Sequence, residues 1–393
     1  MALDIEKIRA DFPALQNYTW FQNGGVSMTP KPVAHTHIEL MEELLIRGPM
    51  HIVYPEEEYA RREQSMERIA EFFAVKREQL ALMRGVSEGF QTVLRGLDWQ
   101  AGDRIVITEE EEAALLLPCL QLRDLFGVDV VKVPLLEDVA AQVDAVAKVM
   151  NERTRLLAFS HVTTDKGFRL PAEELCQLAR ERGVLSFVDM AHSAGLSPLT
   201  LKEVGCDFGG LLSYKWMYAP YAAGVLYVSE GNLDTLRVTY AGGRSQSRLD
   251  FHTDEYELRD TAERFQYGPW SWPLVHAWAA SLNYLTGFGL DAIWERTTSL
   301  TTQLKNGLLA IPGTRLLTPM SSERSAALVS FVLDGWEGVD VKDVLRERWN
   351  IVIKAIPYVE SGLRASVPFF LLEEEIDLLL EKLAILANEQ NPS

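Results

Sequence analysis

The chain has 393 residues, of which 47% are apolar and 24% charged, and a formal net charge of −18 at pH 7. That length is more than one hydrophobic core usually supports, so two domains are expected. The acidic balance argues against a nucleic-acid surface or an anionic membrane surface, and no apolar run reaches membrane-spanning length.

The start, MALDIEKIRADFPAL, is acidic where a signal peptide needs a basic segment and then an apolar one. Cys119, Cys176 and Cys206 lie far apart with no CxxC pair, which argues against a disulfide framework or a structural metal site. A reducing, cytoplasmic setting is the expectation.

In chain order, SEGFQTVLRGL (87–97) reads as a helix and DRIVITEE (103–110) as a strand. The next helix spans 113–127, with a distortion expected at Pro118. A strand over 128–135, a helix over 137–154 and an apolar strand over 155–162 follow. Pro171, Glu173 and Glu174 then mark a helix start, and Arg180, Arg182 and Gly183 its end. VLSFVD (184–189) and CDFGGLLS (206–213) are buried strands. Strands alternating with helices, without period-two polarity, imply a parallel sheet covered on both faces.

The segment 240–260 is polar and rich in turn residues and reads as a loop. Beyond residue 270 come helices over 273–289 and 297–311, a strand over 326–333, and helices over 341–350 and 373–390. The expected organisation is a large α/β domain over 20–270 and a small α+β domain over 271–393 that includes residues 1–19.

Asp189 ends one buried strand and Lys215 follows another, so both fall on the rim where parallel sheets bind ligands. A strand-end carboxylate alone is usually a solvated residue. An aspartate, a histidine three residues later (His192) and a lysine after the next strand form a more specific set. Pyridoxal 5'-phosphate (PLP) needs an amine for its aldehyde and a carboxylate against its ring nitrogen. RGVSEGF (84–90) places Gly85, Ser87 and Gly89 at a helix start, a potential anion site. The plainer reading is that Ser87 caps the helix.

Five stretches carry a resemblance to a known family: 10–25, 83–97, 158–195 (AFSHVTTDKG…FVDMAHSAG), 213–228 (SYKWMYAPYAAGVLYV) and 362–383. On these the chain resembles the class V aminotransferases, a fold type I group of PLP enzymes with cysteine desulfurases, kynureninases and isopenicillin N epimerase-like proteins. The resemblance implies a three-layer α/β/α large domain with a smaller α+β C-terminal domain. It makes Lys215 the Schiff-base lysine, Asp189 the partner of the ring nitrogen and His192 a neighbour of the phenolic oxygen. Val86 and Ser87 would bind phosphate at the helix start, Tyr214 would reach it by its hydroxyl, and Ser213 would join the cofactor contacts. Thr163 or Thr164 would flank the ring edge. Arg364, with Asn23, would hold the substrate carboxylate, a bidentate task suited to arginine.

The chain departs from that pattern in four places. Where the family stacks a histidine or an aromatic on the ring, the aligned residue is Glu112 in TEEEEAALLLP. Another residue could cover the ring, Glu112 could act as a base, or the cofactor could be held differently; the plainer reading is a solvated turn. The stretch 349–366, where desulfurases carry a sulfur-accepting cysteine, has none. Leu212 and Tyr214 replace the serine and histidine that desulfurases place before the lysine. Pro269 replaces a hydroxyl that the family offers to the neighbouring subunit's phosphate. The expected function is therefore a PLP enzyme acting on a small amino acid, as a homodimer with shared active sites. C–S lyase-like β-elimination without a catalytic cysteine is the first reading. Transamination or epimerisation is the second, and a fold retained without catalysis the third.

Overall fold

The computed structural model describes residues 3–356 and 361–389. Two helices that the sequence reading did not assign, α1 (Lys31–Arg47) and α2 (Pro55–Phe72), precede the first sheet. The sheet strands are β1 (Leu80–Met83), β2 (Arg104–Thr108), β3 (Asp129–Val133), β4 (Thr154–Ser160), β5 (Leu185–Asp189), β6 (Phe208–Leu212) and β7 (Gly224–Val228). Between them run α3 (Val86–Gly96), α4 (Ala113–Phe126), α5 (Val139–Val149) and α6 (Ala172–Glu181).

The spatial order is β1-β7-β6-β5-β4-β2-β3. The five strands β2 to β6 run parallel to one another, whereas β7 is antiparallel to both β6 and β1. From β2 the chain steps outward to β3 and then returns to β4 on the other side. The carboxyl ends of β2 and β4 therefore flank a topological switch point, the usual crevice of an open α/β sheet.

Successive strand residues feed opposite layers. Ile105 and Ile107 pack with Phe90 and Val93 of α3 and Leu115 and Leu122 of α4. Val106 between them faces the cluster containing Leu175 and Ala179 of α6. With both faces covered, continuous apolar strands are the physical requirement. Pro118 lies within α4, which runs on to Phe126 and ends at Gly127 in a left-handed cap.

The segment expected as a loop over 240–260 instead contains an antiparallel hairpin, β8 (Gln246–Asp250) and β9 (Glu255–Leu258). Its strands are largely exposed and polar, so no buried face marked them in the sequence. Then come α7 (Trp272–Phe288), packed on α1 and α2, and α8 (Leu290–Ala310). The latter begins earlier than expected, because Gly289 supplies its N-cap.

A four-stranded antiparallel sheet follows, ordered β10 (Thr314–Leu316), β11 (Leu328–Leu333), β13 (Gly362–Ser366), β12 (Lys354–Ile356). It is joined by α9 (Gly338–Trp349) and α10 (Glu373–Asn388). Helix α5 is shorter than the 137–154 expected, since Met150 leaves the helical conformation.

Candidate active site

The parallel register brings the catalytic candidates together. Asp189 pairs with Ser160 on β4 and Gly210 on β6, at the carboxyl edge of the sheet. One of its oxygens, Oδ1, accepts from the Ala191 N–H at 2.8 Å. Burial raises the Asp189 carboxyl to about 6. His192 and Lys215 are both buried, with Nε2 and Nζ 3.0 Å apart. Burial lowers the Lys215 amine to about 8, opposed by the nearby Asp189 and Glu112 charges.

Arg364 is fully buried on β13. Its Nη1 donates to the Thr164 carbonyl at 2.6 Å and to the Thr164 hydroxyl at 3.1 Å, and Nη2 donates to Gln22 Oε1 at 3.4 Å. No carboxylate lies within ion-pair distance of it among the described residues, and burial lowers it to about 10. Lys354, its register partner on β12, is likewise without a bonded partner among the described residues, and burial lowers its amine. Asn23 is also fully buried; its Nδ2 donates to the Lys215 carbonyl at 3.2 Å, while Oδ1 has no partner among the described residues.

Several expected contacts are taken up by the protein itself. The hydroxyl of Ser213 donates to the Pro220 carbonyl at 2.5 Å. Thr163 Oγ1 accepts from the Phe168 N–H at 3.0 Å and closes the turn over 163–168. Tyr214 stacks on Tyr221 at 4.7 Å between centroids, and its ring is half-buried. At the start of α3 the cap is Gly85, with no side-chain hydrogen bond, so Ser87 is not the cap. Val86 is buried there and Ser87 exposed, leaving the first N–H groups of the helix open to an anion.

The glutamate run is not a solvated turn. Glu110 is buried and accepts from the N–H groups of Asp165 and Lys166 at 2.9 and 2.5 Å. Glu111 bridges the switch point: it accepts from Thr108 Oγ1 at 2.6 Å and from the Ser160 hydroxyl at 2.7 Å. Burial pushes its carboxyl to about 8. Glu112 caps α4 through the Ala113 N–H. Glu109 to Ala113, Leu116, Leu117, Thr164, Asp165, Lys166 and Lys354 line a cleft of about 820 Å³ with no aromatic side chain among the described residues. Sequence reasoning missed Glu110, Glu111 and Lys354. Four glutamates immediately after a buried strand were the available signal for the first two, and Lys354 gave none.

The three-layer sheet, the switch-point crevice and the buried lysine on its rim define a fold type I large domain with a smaller α+β domain. The chain belongs to the class-V aminotransferase family, whose model matches residues 19–379.

It is 26% identical to a probable cysteine desulfurase of Methanothermobacter thermautotrophicus, over 97% of this chain and 98% of that one. It is 31% identical to isopenicillin N epimerase of Streptomyces clavuligerus, over 83% and 84% of the two chains. Among solved structures it resembles the cystine C–S lyase C-DES in complex with its product cysteine persulfide. The TM-score there is 0.87 at 27% identity, covering 95% of this chain and 99% of the other. A mutant of C-DES with glycine covalently linked to its PLP cofactor gives 0.88 at 26%, over 96% and 98%.

Proposed function

We propose that this chain is a PLP-dependent enzyme that eliminates a sulfur-bonded group from the β-carbon of a small amino acid, without a catalytic cysteine. The observation that carries the reading is a buried amine at Lys215 beside a buried carboxylate at Asp189. Only one oxygen of that carboxylate has a protein partner among the described residues. A carboxylate held dry with Oδ2 free suits a protonated ring nitrogen, and the uncapped start of α3 suits a phosphate. The residues fit the cofactor.

When bound, PLP supplies the electron sink that makes the α-proton of an amino acid acidic. Asp189 would face the ring nitrogen, and Val86 and Ser87 would offer N–H groups to the phosphate. Arg364, with no carboxylate of its own, binds the substrate carboxylate, and Asn23 lies beside the lysine backbone. Lys215, whose amine burial lowers to about 8, would hold the cofactor and would move the proton at Cα. Glu112 and Thr164 line the cleft and hold its polar wall. Tyr214 keeps its hydroxyl for the phosphate, whereas Ser213 and Thr163 shape loops.

The absence of a sulfur-accepting cysteine is supported by where the three cysteines sit. Cys119, Cys176 and Cys206 are all buried, and burial raises every thiol, that of Cys176 to about 12. A thiol held protonated is a poor nucleophile. Residues 357–360, within the stretch 349–366 where no cysteine occurs, lie outside the described residues. The likeness to isopenicillin N epimerase supports a second reading in which Cα is reprotonated and nothing is expelled.

A homodimer and a division near residue 270 belong to the same proposal. Ile38, Met41, Leu45 and Ile46 on α1, with Ile52 and Val53 after it, are exposed apolar residues suited to a second copy. All seven strands of the large sheet precede residue 229 and all four of the small sheet follow 313. A cytoplasmic setting remains part of the proposal; no helix among the described residues is long and apolar enough to cross a membrane.

The test is a product assay on PLP-loaded protein. Cystine should give pyruvate, ammonia and cysteine persulfide in equal amounts, and cysteine should give pyruvate, ammonia and sulfide. Amino transfer to an added oxo acid, or inversion at Cα without pyruvate, would move the assignment to the second reading.

A further inference from the structure

The contact between His192 and Lys215 has a polarity that its 3.0 Å length does not reveal, because either nitrogen can donate. The other ring nitrogen decides. The indole Nε1 of Trp216, a buried side chain, lies 3.4 Å from His192 Nδ1. An indole N–H donates and never accepts. Nδ1 must therefore be the bare nitrogen, and the ring proton sits on Nε2. Burial, followed by the Lys215 charge, keeps the imidazole neutral, so it has one proton to place. Nε2–H then points at Lys215, whose amine accepts through its lone pair.

The fold holds this pair in register. Trp216 packs with Val162, Leu196 and Leu328, away from the main core. The turn after His192 reaches Gly195, at φ +85°, where a Cβ would lie 2.7 Å from the Trp216 carbonyl and 2.6 Å from Met217 Cγ. Only glycine lets the two backbones approach so closely. The His192 turn is thereby docked on the 216–217 backbone.

We propose that Trp216 is a positioning residue that fixes the Nε2–H tautomer of His192, so that the Lys215 amine meets a hydrogen-bond donor. Without the indole N–H, the imidazole can place its proton on Nδ1 and accept from a Lys215 ammonium at Nε2, reversing the contact. The consequence rests on the function proposed above, since the accepting lone pair is the one that attacks an aldehyde. The tautomer itself does not. The charged groups that also face Lys215 are Asp189, Glu112, Arg364 and Lys354, and the substitution below changes none of them.

The experiment uses cofactor-free protein with nitrogen-15 histidine, the His192 signals being found by difference from His192→Gln. Nε2 should show the protonated, pyrrole-like shift and Nδ1 the bare, pyridine-like one. In Trp216→Phe the proton should redistribute toward Nδ1. The pH midpoint for labelling Lys215 with formaldehyde and a hydride reductant should rise by about one unit. A protonated Nδ1 in the wild type, or unchanged ring nitrogens in Trp216→Phe, would overturn the assignment. The wild-type spectrum decides alone if the variant does not fold. The expected tautomer in a protein that never takes up PLP supports Trp216 and overturns the enzymatic reading instead.

Discussion

Arg364 is bound by Thr164, an uncharged residue, through contacts of 2.6 and 3.1 Å to its carbonyl and hydroxyl. A buried guanidinium held this way makes no direct ion pair among the described residues, although Asp165, Glu112 and Glu110 are near enough to favour its charge, so it can still bind an anion from solution. Hydrogen bonds to charged groups contribute about 1.5–3 kcal/mol each. Arg364→Ala should therefore weaken amino-acid binding by about 10- to 100-fold while leaving cofactor uptake intact. Titration of amino acids against PLP-loaded protein, followed by absorbance, measures it. Equal affinity in the two proteins removes Arg364 from the substrate site.

Lys215→Ala should abolish covalent retention of PLP, so that denaturation and dialysis after hydride reduction leave no cofactor on the chain. The loss of turnover should reach at least about 10²-fold, the ordinary worth of a positioned proton carrier. Retained label, traced to another lysine by mass spectrometry, would contradict the role given to Lys215.

Asp189 carries a cost in the cofactor-free protein that pH should expose. Burial raises its carboxyl from 3.8 to about 6, so the folded state binds the proton more tightly than the unfolded state. The folded state then gains from protonation. This advantage is complete below about 3.8 and is lost as pH climbs through 6. Asp189→Asn has no charge to bury. Its urea midpoint relative to wild type should therefore rise between pH 4 and pH 7 and then level off. A difference that stays flat across that range would show that the carboxylate is not strained by burial. The same variant should lose turnover, since an amide cannot keep the ring nitrogen protonated.

Replacing Cys119, Cys176 and Cys206 together by alanine should leave turnover with cystine essentially unchanged. Some stability is expected to be lost, because the three are packed inside the core. Elimination that collapses while near-ultraviolet circular dichroism stays native would place a thiol in the chemistry after all.

Gly195→Ala should be severely destabilising, by about 2 kcal/mol or more, because the new Cβ meets backbone at a positive φ. Denaturant unfolding reads this directly. A variant as stable as wild type would mean that the His192 turn is not clamped on the Trp216 backbone.

How much of this could be read in advance varies by residue. The strands ending at Asp189 and preceding Lys215 were legible because a doubly covered parallel sheet demands unbroken apolar runs, and its ladder puts their ends on one rim. The N-terminal helices α1 and α2 were not assigned. Much of their surface is exposed, and their apolar residues do not form a single clean stripe.

The amino-acid sequence by itself determined the alternation of strand and helix, the rim carrying Asp189, His192 and Lys215, and the missing cysteine at 349–366. Tertiary structure alone decided that Glu111 is held by Ser160, 49 residues away, and Arg364 by Thr164, 200 residues away. It also decided that the Ser213 hydroxyl turns to Pro220, and that Trp216 rather than a carboxylate sets the histidine proton. Apolar periodicity is imposed locally by the geometry of strands and helices, so it is written into neighbouring residues. A polar side chain's partner is whatever group the closed fold brings within 3 Å or so of it, and that pairing leaves no trace in the local pattern.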